Sequence, residues 1–252
     1  MITAAALFAG VIAALVVGLS KTALPGAGLV ATPILATVAQ GRLLPGVVLP
    51  VLLTADLFAV TWYRRHARWD LLRTLAPGVA VGFAAGAVFF VAVGSSARTL
   101  DVVIGLVILA MVVIQLVRAV RRRPATEAPA HAALAYGATG GFTTFVANAA
   151  GPVMNTYLLG LGLGKNELVG TAAWFYFAVN VAKVPLYLAL GELSGGGRFF
   201  TAASLRFDAC LVPAVVVGVL VGRQLLHRLR QRLFEVLVLV LSALGAVKLL
   251  LP

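Results

Sequence analysis

The stretch Gly140 to Gly164 reads GGFTTFVANAAGPVMNTYLLGLGLG. It is apolar enough to enter a bilayer, yet Asn148-Ala149-Ala150-Gly151-Pro152 interrupts it, with Thr143, Thr144 and Asn155 close by. Pro152 has no backbone N–H to donate, so it suits the first turn of a helix far better than its interior. The stretch therefore predicts two half-helices meeting between Asn148 and Gly151. The second half aims its N-terminal N–H groups into the protein, and such an end attracts anions. Broken backbone is tolerated in lipid only where protein buries it or where it lines a cavity. The break is the first candidate binding site.

A bilayer is the setting because the chain, 252 residues long, is 62% hydrophobic and only 11% charged. Its mean hydropathy is +1.05. A soluble domain carries roughly 25% charged residues, so the composition excludes a soluble fold and predicts a polytopic membrane protein. The formal net charge of +12 sits in short loops, where it reports orientation and not nucleic-acid binding. Cys210 is the single cysteine, which excludes an internal disulfide and a cysteine-built metal site. The N-terminal MITAAALFAG lacks a basic lead-in, so it reads as a first span that is retained and not as a cleaved signal peptide.

Runs of about 18 apolar residues can span a bilayer. They occur at 2–20, near 44–63, at 71–93, 99–118 and 131–147, and near 167–190, 208–226 and 233–251. Shorter interrupted partners lie at 23–39, broken by Pro25, Gly26, Gly28 and Pro33, and at 150–163. All are expected to be helical, since only helices and closed barrels satisfy their backbone in lipid. The runs lack the alternation of barrel strands.

Basic residues cluster at Arg64, Arg65, Arg68 and Arg73, at Arg118 and Arg121 to Arg123, and at Arg223, Arg228, Arg230 and Arg232. Cytoplasmic loops collect such residues. Placing all three clusters inside puts both termini outside. It also makes residues 2–42 leave and return outside, and residues 131–165 leave and return inside.

The two halves are then inverted copies: a first repeat over 1–118, a cytoplasmic linker over 119–130 and a second repeat over 131–252. Each would hold a broken or re-entrant hairpin followed by three transmembrane helices. Pro77, Gly82 and Gly86 recur as Pro213, Gly218 and Gly222, and Gly18 and Gly28 stand against Gly141 and Gly151. Paired interrupted segments in two halves point to a transporter site near the bilayer midplane.

Charge inside the spans narrows the site. Lys21 ends the first apolar run, just before the break at Pro25-Gly26. Burying a lysine in a membrane costs roughly 2.5–3.5 kcal/mol on insertion scales, and an anionic guest would offset that cost. Lys183 lies deep in a span, with Asn180 on the same helix face and Pro185 just beyond. Asp56 is the acid placed deep in a span. Intramembrane carboxylates serve as proton carriers or as counter-ions, and the sequence leaves both roles open for Asp56 with Lys21 or Lys183. Asn148 can cap the second half-helix. Trp174, Tyr176 and Tyr157 either line a cavity or pack.

Other patterns carry less. Gly164-Lys165 lacks the glycine and hydroxyl of a phosphate loop. His66, His131 and His227 have no ligand spacing, so no metal is expected. Gly78, Gly82 and Gly86 fit close helix packing.

The run from Gly140 to Leu163 followed by Lys165 to Thr171 and Trp174, with the earlier Gly18-Leu-Ser-Lys-Thr-Ala-Leu-Pro-Gly-Ala-Gly28 through Pro33, resembles the TauE/SafE sulfite exporter family over nearly the whole chain. Many members have a denser first glycine run, which Ala27 interrupts here. The resemblance implies a multi-pass carrier of the bacterial inner membrane for sulfite, sulfonates or related small organic acids, with no cofactor.

The expected site comprises Lys21, Thr22, Gly26, Gly28, Thr143, Thr144, Asn148, Gly151, Asn155, Trp174, Asn180 and Lys183 for the anion, and Asp56 for a coupling ion, proton before sodium. The expected mechanism is secondary active transport by alternating access. A passive anion channel and a carboxylate carrier are the alternatives. The expected partners are the small anion, the coupling ion and the lipid bilayer, with a homodimer compatible and no nucleic acid. An intramembrane enzyme would need a nucleophile and base or metal ligands within the spans, and the sequence offers no such set.

Overall fold

The computed structural model describes residues 3–23, 28, 31–39, 43–92, 113, 130–193, 198–230 and the positions 232, 233, 236, 237 and 240. The expected spans at 99–118 and near 233–251, and most of the linker 119–130, fall outside the described residues, as does Gly26. Among the described residues the regular structure is helical: α1 (Ala4–Thr22), α2 (Ala31–Ala36), α3 (Leu43–Tyr63), α4 (Trp69–Ala92), α5 (Ala130–Ala147), α6 (Ala150–Gly160), α7 (Lys165–Leu193) and α8 (Ala202–Arg228). Five of these, α1, α3, α4, α7 and α8, are long and apolar enough to cross a membrane. Their outer faces are greasy. Phe8 is 70% exposed and Val88 68%, which suits lipid contact and would be unfavourable in water.

The helices form two compact units. The first holds residues 1–65 and 173–228. Here α1 and α8 run side by side in the same direction, because glycines let their backbones touch. A Cβ on Gly18 would overlap the backbone of Val215 and Val219, and one on Gly218 the carbonyl of Leu15. Gly222 faces Leu19 and Thr22 in the same way. Around this pair Ala14, Val17, Leu35, Val48, Val51, Leu211 and Val215 close an apolar core.

The helix α8 begins earlier than its apolar run. Thr201 and Ser204 cap its start reciprocally, each hydroxyl accepting the other's backbone N–H at 3.0 Å. Pro50, Pro185 and Pro213 sit inside helices that continue through them.

The second unit holds residues 66–172 and 229–252. Here α4 and α5 run together by the same device. A Cβ on Gly82 would overlap the Ala138 carbonyl, one on Gly141 the backbone of Val79, and one on Gly86 the ring of Phe145. Phe83 and Phe145 pack at 5.3 Å, and Phe89 and Phe142 at 5.5 Å. The start of α7 is held in this unit by two bonds. The Arg68 N–H donates to Thr171 Oγ1 at 3.0 Å, and Lys165 Nζ donates to the Leu229 carbonyl at 2.7 Å.

Candidate functional site

The first unit buries charge. Lys21 stands in the last turn of α1, where the helix dipole favours a cation. Its ammonium lies 2.7 Å from Asp56 Oδ1 and 4.2 Å above the centre of the Tyr176 ring. Asp56 is fully buried, and its second oxygen accepts a bond from Asn180 Nδ2 at 2.6 Å. Lys183, one turn beyond Asn180 on α7, is also fully buried and interacts electrostatically with Lys21 and Asp56.

Two lysine side chains, one carboxyl group, one amide and one ring thus share a small volume drawn from α1, α3 and α7. Burying such groups as ions in an apolar medium costs several kcal/mol each before pairing. A purely structural core would not need them. The sequence left Asp56 open between proton carrier and counter-ion, and in this state it is the partner of Lys21. Tyr176 was read as cavity lining or packing, and it is the floor beneath the ammonium. Nothing in its local sequence marks that role, because the contact joins α1 to α7.

Other expected residues of this unit fall around the cluster. The Thr22 hydroxyl is committed to the Gly18 and Val219 carbonyls, both at 3.1 Å, and the Thr22 carbonyl accepts from Tyr63 Oη at 3.4 Å. These bonds satisfy the end of α1 and pin it to α8 and α3. Gly28 sits against Ser20, where a Cβ would come within 2.9 Å of the hydroxyl. Trp174 packs edge-on to Phe177 at 6.0 Å, beside Ala59, Val60 and Ala173.

The break in the second unit is real and short. Helix α5 stops at Ala147, and α6 starts at Ala150. Asn148 takes φ 55°, the left-handed region that Asn tolerates better than most residues. Its N–H and that of Ala149 fold back on the carbonyls of Thr144 and Thr143, at 3.0 and 3.1 Å. The backbone of Asn148 therefore ends the first half-helix. Ala149 holds the N-cap position of α6 and has no side-chain oxygen of its own to give.

Pro152 falls in that first turn, as its missing N–H requires. The Thr143 hydroxyl turns back to Thr139 and Gly140. Thr144 is buried and Gly151 half-buried. Asn155, one turn into α6, is 1% exposed, and neither atom of its amide has a hydrogen-bond partner. A buried amide left so costs about 1–3 kcal/mol. Among the described residues no group of three or more His, Cys, Asp and Glu is placed to hold a metal.

Long apolar helices with greasy outer faces and buried charge define a multi-pass membrane protein. The family model described as Sulfite exporter TauE/SafE matches residues 9–249, and the chain belongs to that family. Members of the family are membrane transporters and not enzymes. No curated protein and no solved structure matches the chain.

Proposed function

We propose that this chain is a secondary active transporter of small anions, sulfite or sulfonates before carboxylates. It works by alternating access around a site near the bilayer midplane. The observation that carries the reading is the sealed cluster of Lys21, Lys183, Asp56 and Asn180. The Lys21 ammonium and the Lys183 amine offer an oxyanion charge and donors in place of those it loses with its water. In the second unit, the buried Asn155 amide is a neutral donor of the kind such an anion also accepts. The coupling ion is a proton carried by Asp56, with sodium as the alternative ion.

The architecture we assign is the inverted repeat, 1–118 against 131–252, in the bacterial inner membrane with both termini outside. Support comes from the matched helix contacts. Gly18 meets Val215 as Gly141 meets Val79, Gly218 meets Leu15 as Gly82 meets Ala138, and Gly222 meets Thr22 as Gly86 meets Phe145. These partners keep one spacing along both halves. Unrelated helix pairs have no reason to share it.

The test is uptake of sulfite, a short sulfonate and a short carboxylate by proteoliposomes under imposed proton and sodium gradients. Accumulation driven by a gradient is expected. Conductance without accumulation would make the protein a channel, and no movement of any of them would end the reading.

A further inference from the structure

The cluster already contains an anion, and it occupies the place a substrate would take. Asp56 Oδ1 lies 2.7 Å from Lys21, and Asp56 has no exposed surface. Resting on the anion-site reading, we propose that Asp56 is a resident stand-in for the substrate: the transported anion displaces it from Lys21, and Asp56 leaves the ion pair by taking up a proton. Each anion bound then brings about one proton with it, and the two move in the same direction.

Two arguments force the exchange. First, the Lys21 ammonium is already engaged by Asp56 Oδ1 at 2.7 Å and stands 4.2 Å from the centre of the Tyr176 ring, so an incoming oxyanion competes with Asp56 for it. Second, two like charges a few ångströms apart in a dry site disfavour each other strongly. An ionised Asp56 and a bound anion therefore exclude one another. A protonated Asp56 removes the conflict and still has Asn180 beside it, at 2.6 Å from Oδ2. The net charge of the site is the same before and after, because one anion replaces another. That suits a site which must close in lipid in both states.

The surroundings leave the assignment to Asp56. Lys21 comes from α1, and Asn180, Lys183 and the Tyr176 ring from α7. The charges acting on Asp56 are those of Lys21 and Lys183. Helix α2 brings no ionisable side chain. On α8, Arg223 lies over the Trp62 ring at 4.8 Å, and Asp208 is near the opposite end of the helix. Tyr63 on α3 is occupied with the Thr22 carbonyl.

The experiment is calorimetric titration of the protein in detergent with a short alkanesulfonate, the anion of a strong acid that stays ionised throughout the titration. The heat is read in buffers of different ionisation enthalpy, so that proton uptake is counted directly. Wild type should bind about tenfold more weakly for each pH unit of rise through its titration, with about one proton taken up per anion. Asp56→Asn has no charge to displace. It should bind at high pH as wild type does at low pH, with a flat profile and no proton uptake.

Measurable wild-type binding that ignores pH and takes up no proton would overturn the proposal and leave the anion site standing. Binding lost in Asp56→Asn at every pH, in protein that folds, would also overturn it. If that variant does not fold, the wild-type slope and proton count still decide. Failure of sulfite, the sulfonate and a short carboxylate to bind at any pH would remove the site itself.

Discussion

The end of α1 and the end of α5 differ in the charge they carry. In the first unit, α1 stops at Thr22 and leaves an ammonium, Lys21, at its end, already matched by Asp56. In the second unit, α5 stops at Ala147, and the neighbouring polar groups are neutral: Thr143, Thr144, Asn148 and Asn155. Asn155 is left with no hydrogen-bond partner. The backbone device is shared, and the chemistry is not. Single side chains then decide which break holds a charge and which offers uncharged donors.

That contrast can be broken most sharply at Lys21. Lys21→Ala should cost about 3–5 kcal/mol, because it strands the buried Asp56 carboxylate. The loss should show as a large drop in unfolding temperature in detergent. Adding Asp56→Asn should recover most of it. A single variant as stable as wild type would mean that the pair is not buried in the native protein.

Matched substitutions at the helix contacts come next in size. Gly82→Ala and Gly218→Ala each push a Cβ into a facing carbonyl, and each should cost about 1–3 kcal/mol. If the two contacts are counterparts, the two losses will agree to within about 1 kcal/mol. One severe and one silent substitution would separate the units and weaken the repeat. The smallest effect is expected at Asn155. Asn155→Leu removes an unsatisfied buried amide, so it should hold or raise the melting temperature while weakening anion binding a few-fold. A fall in stability with unchanged binding would return Asn155 to a packing role.

Much of the fold was legible because membrane helices announce themselves by length and apolarity. The runs at 2–20, 44–63, 71–93, 167–190 and 208–226 correspond to α1, α3, α4, α7 and α8 within a few residues at most ends. The exceptions have local causes. Helix α8 starts early on the polar Thr201–Ser204 cap, which a hydropathy scan does not register. The break at Asn148 was visible from Pro152, but its direction was not, since only the backbone reveals that Asn148 is left-handed.

At the site, Lys21, Asp56, Asn180 and Lys183 each stood out as polar residues where polarity is costly. Their association was hidden. Asp56 and Asn180 are 124 positions apart, and no periodicity within one helix tells which neighbour it faces. Tyr176 was hidden for the same reason, since an aromatic ring in a membrane helix is ordinarily packing.

The proposed anion site is tested most directly at Lys183, which is fully buried and is not a member of the Lys21–Asp56 ion pair. The measurement is equilibrium binding of sulfite and a short sulfonate to wild type and to Lys183→Ala, with expression and melting temperature recorded on the same preparations. The expected result is binding by wild type and a loss of at least about tenfold, or about 1.4 kcal/mol, in the variant, in protein that still folds. Equal affinity in the two proteins would contradict it.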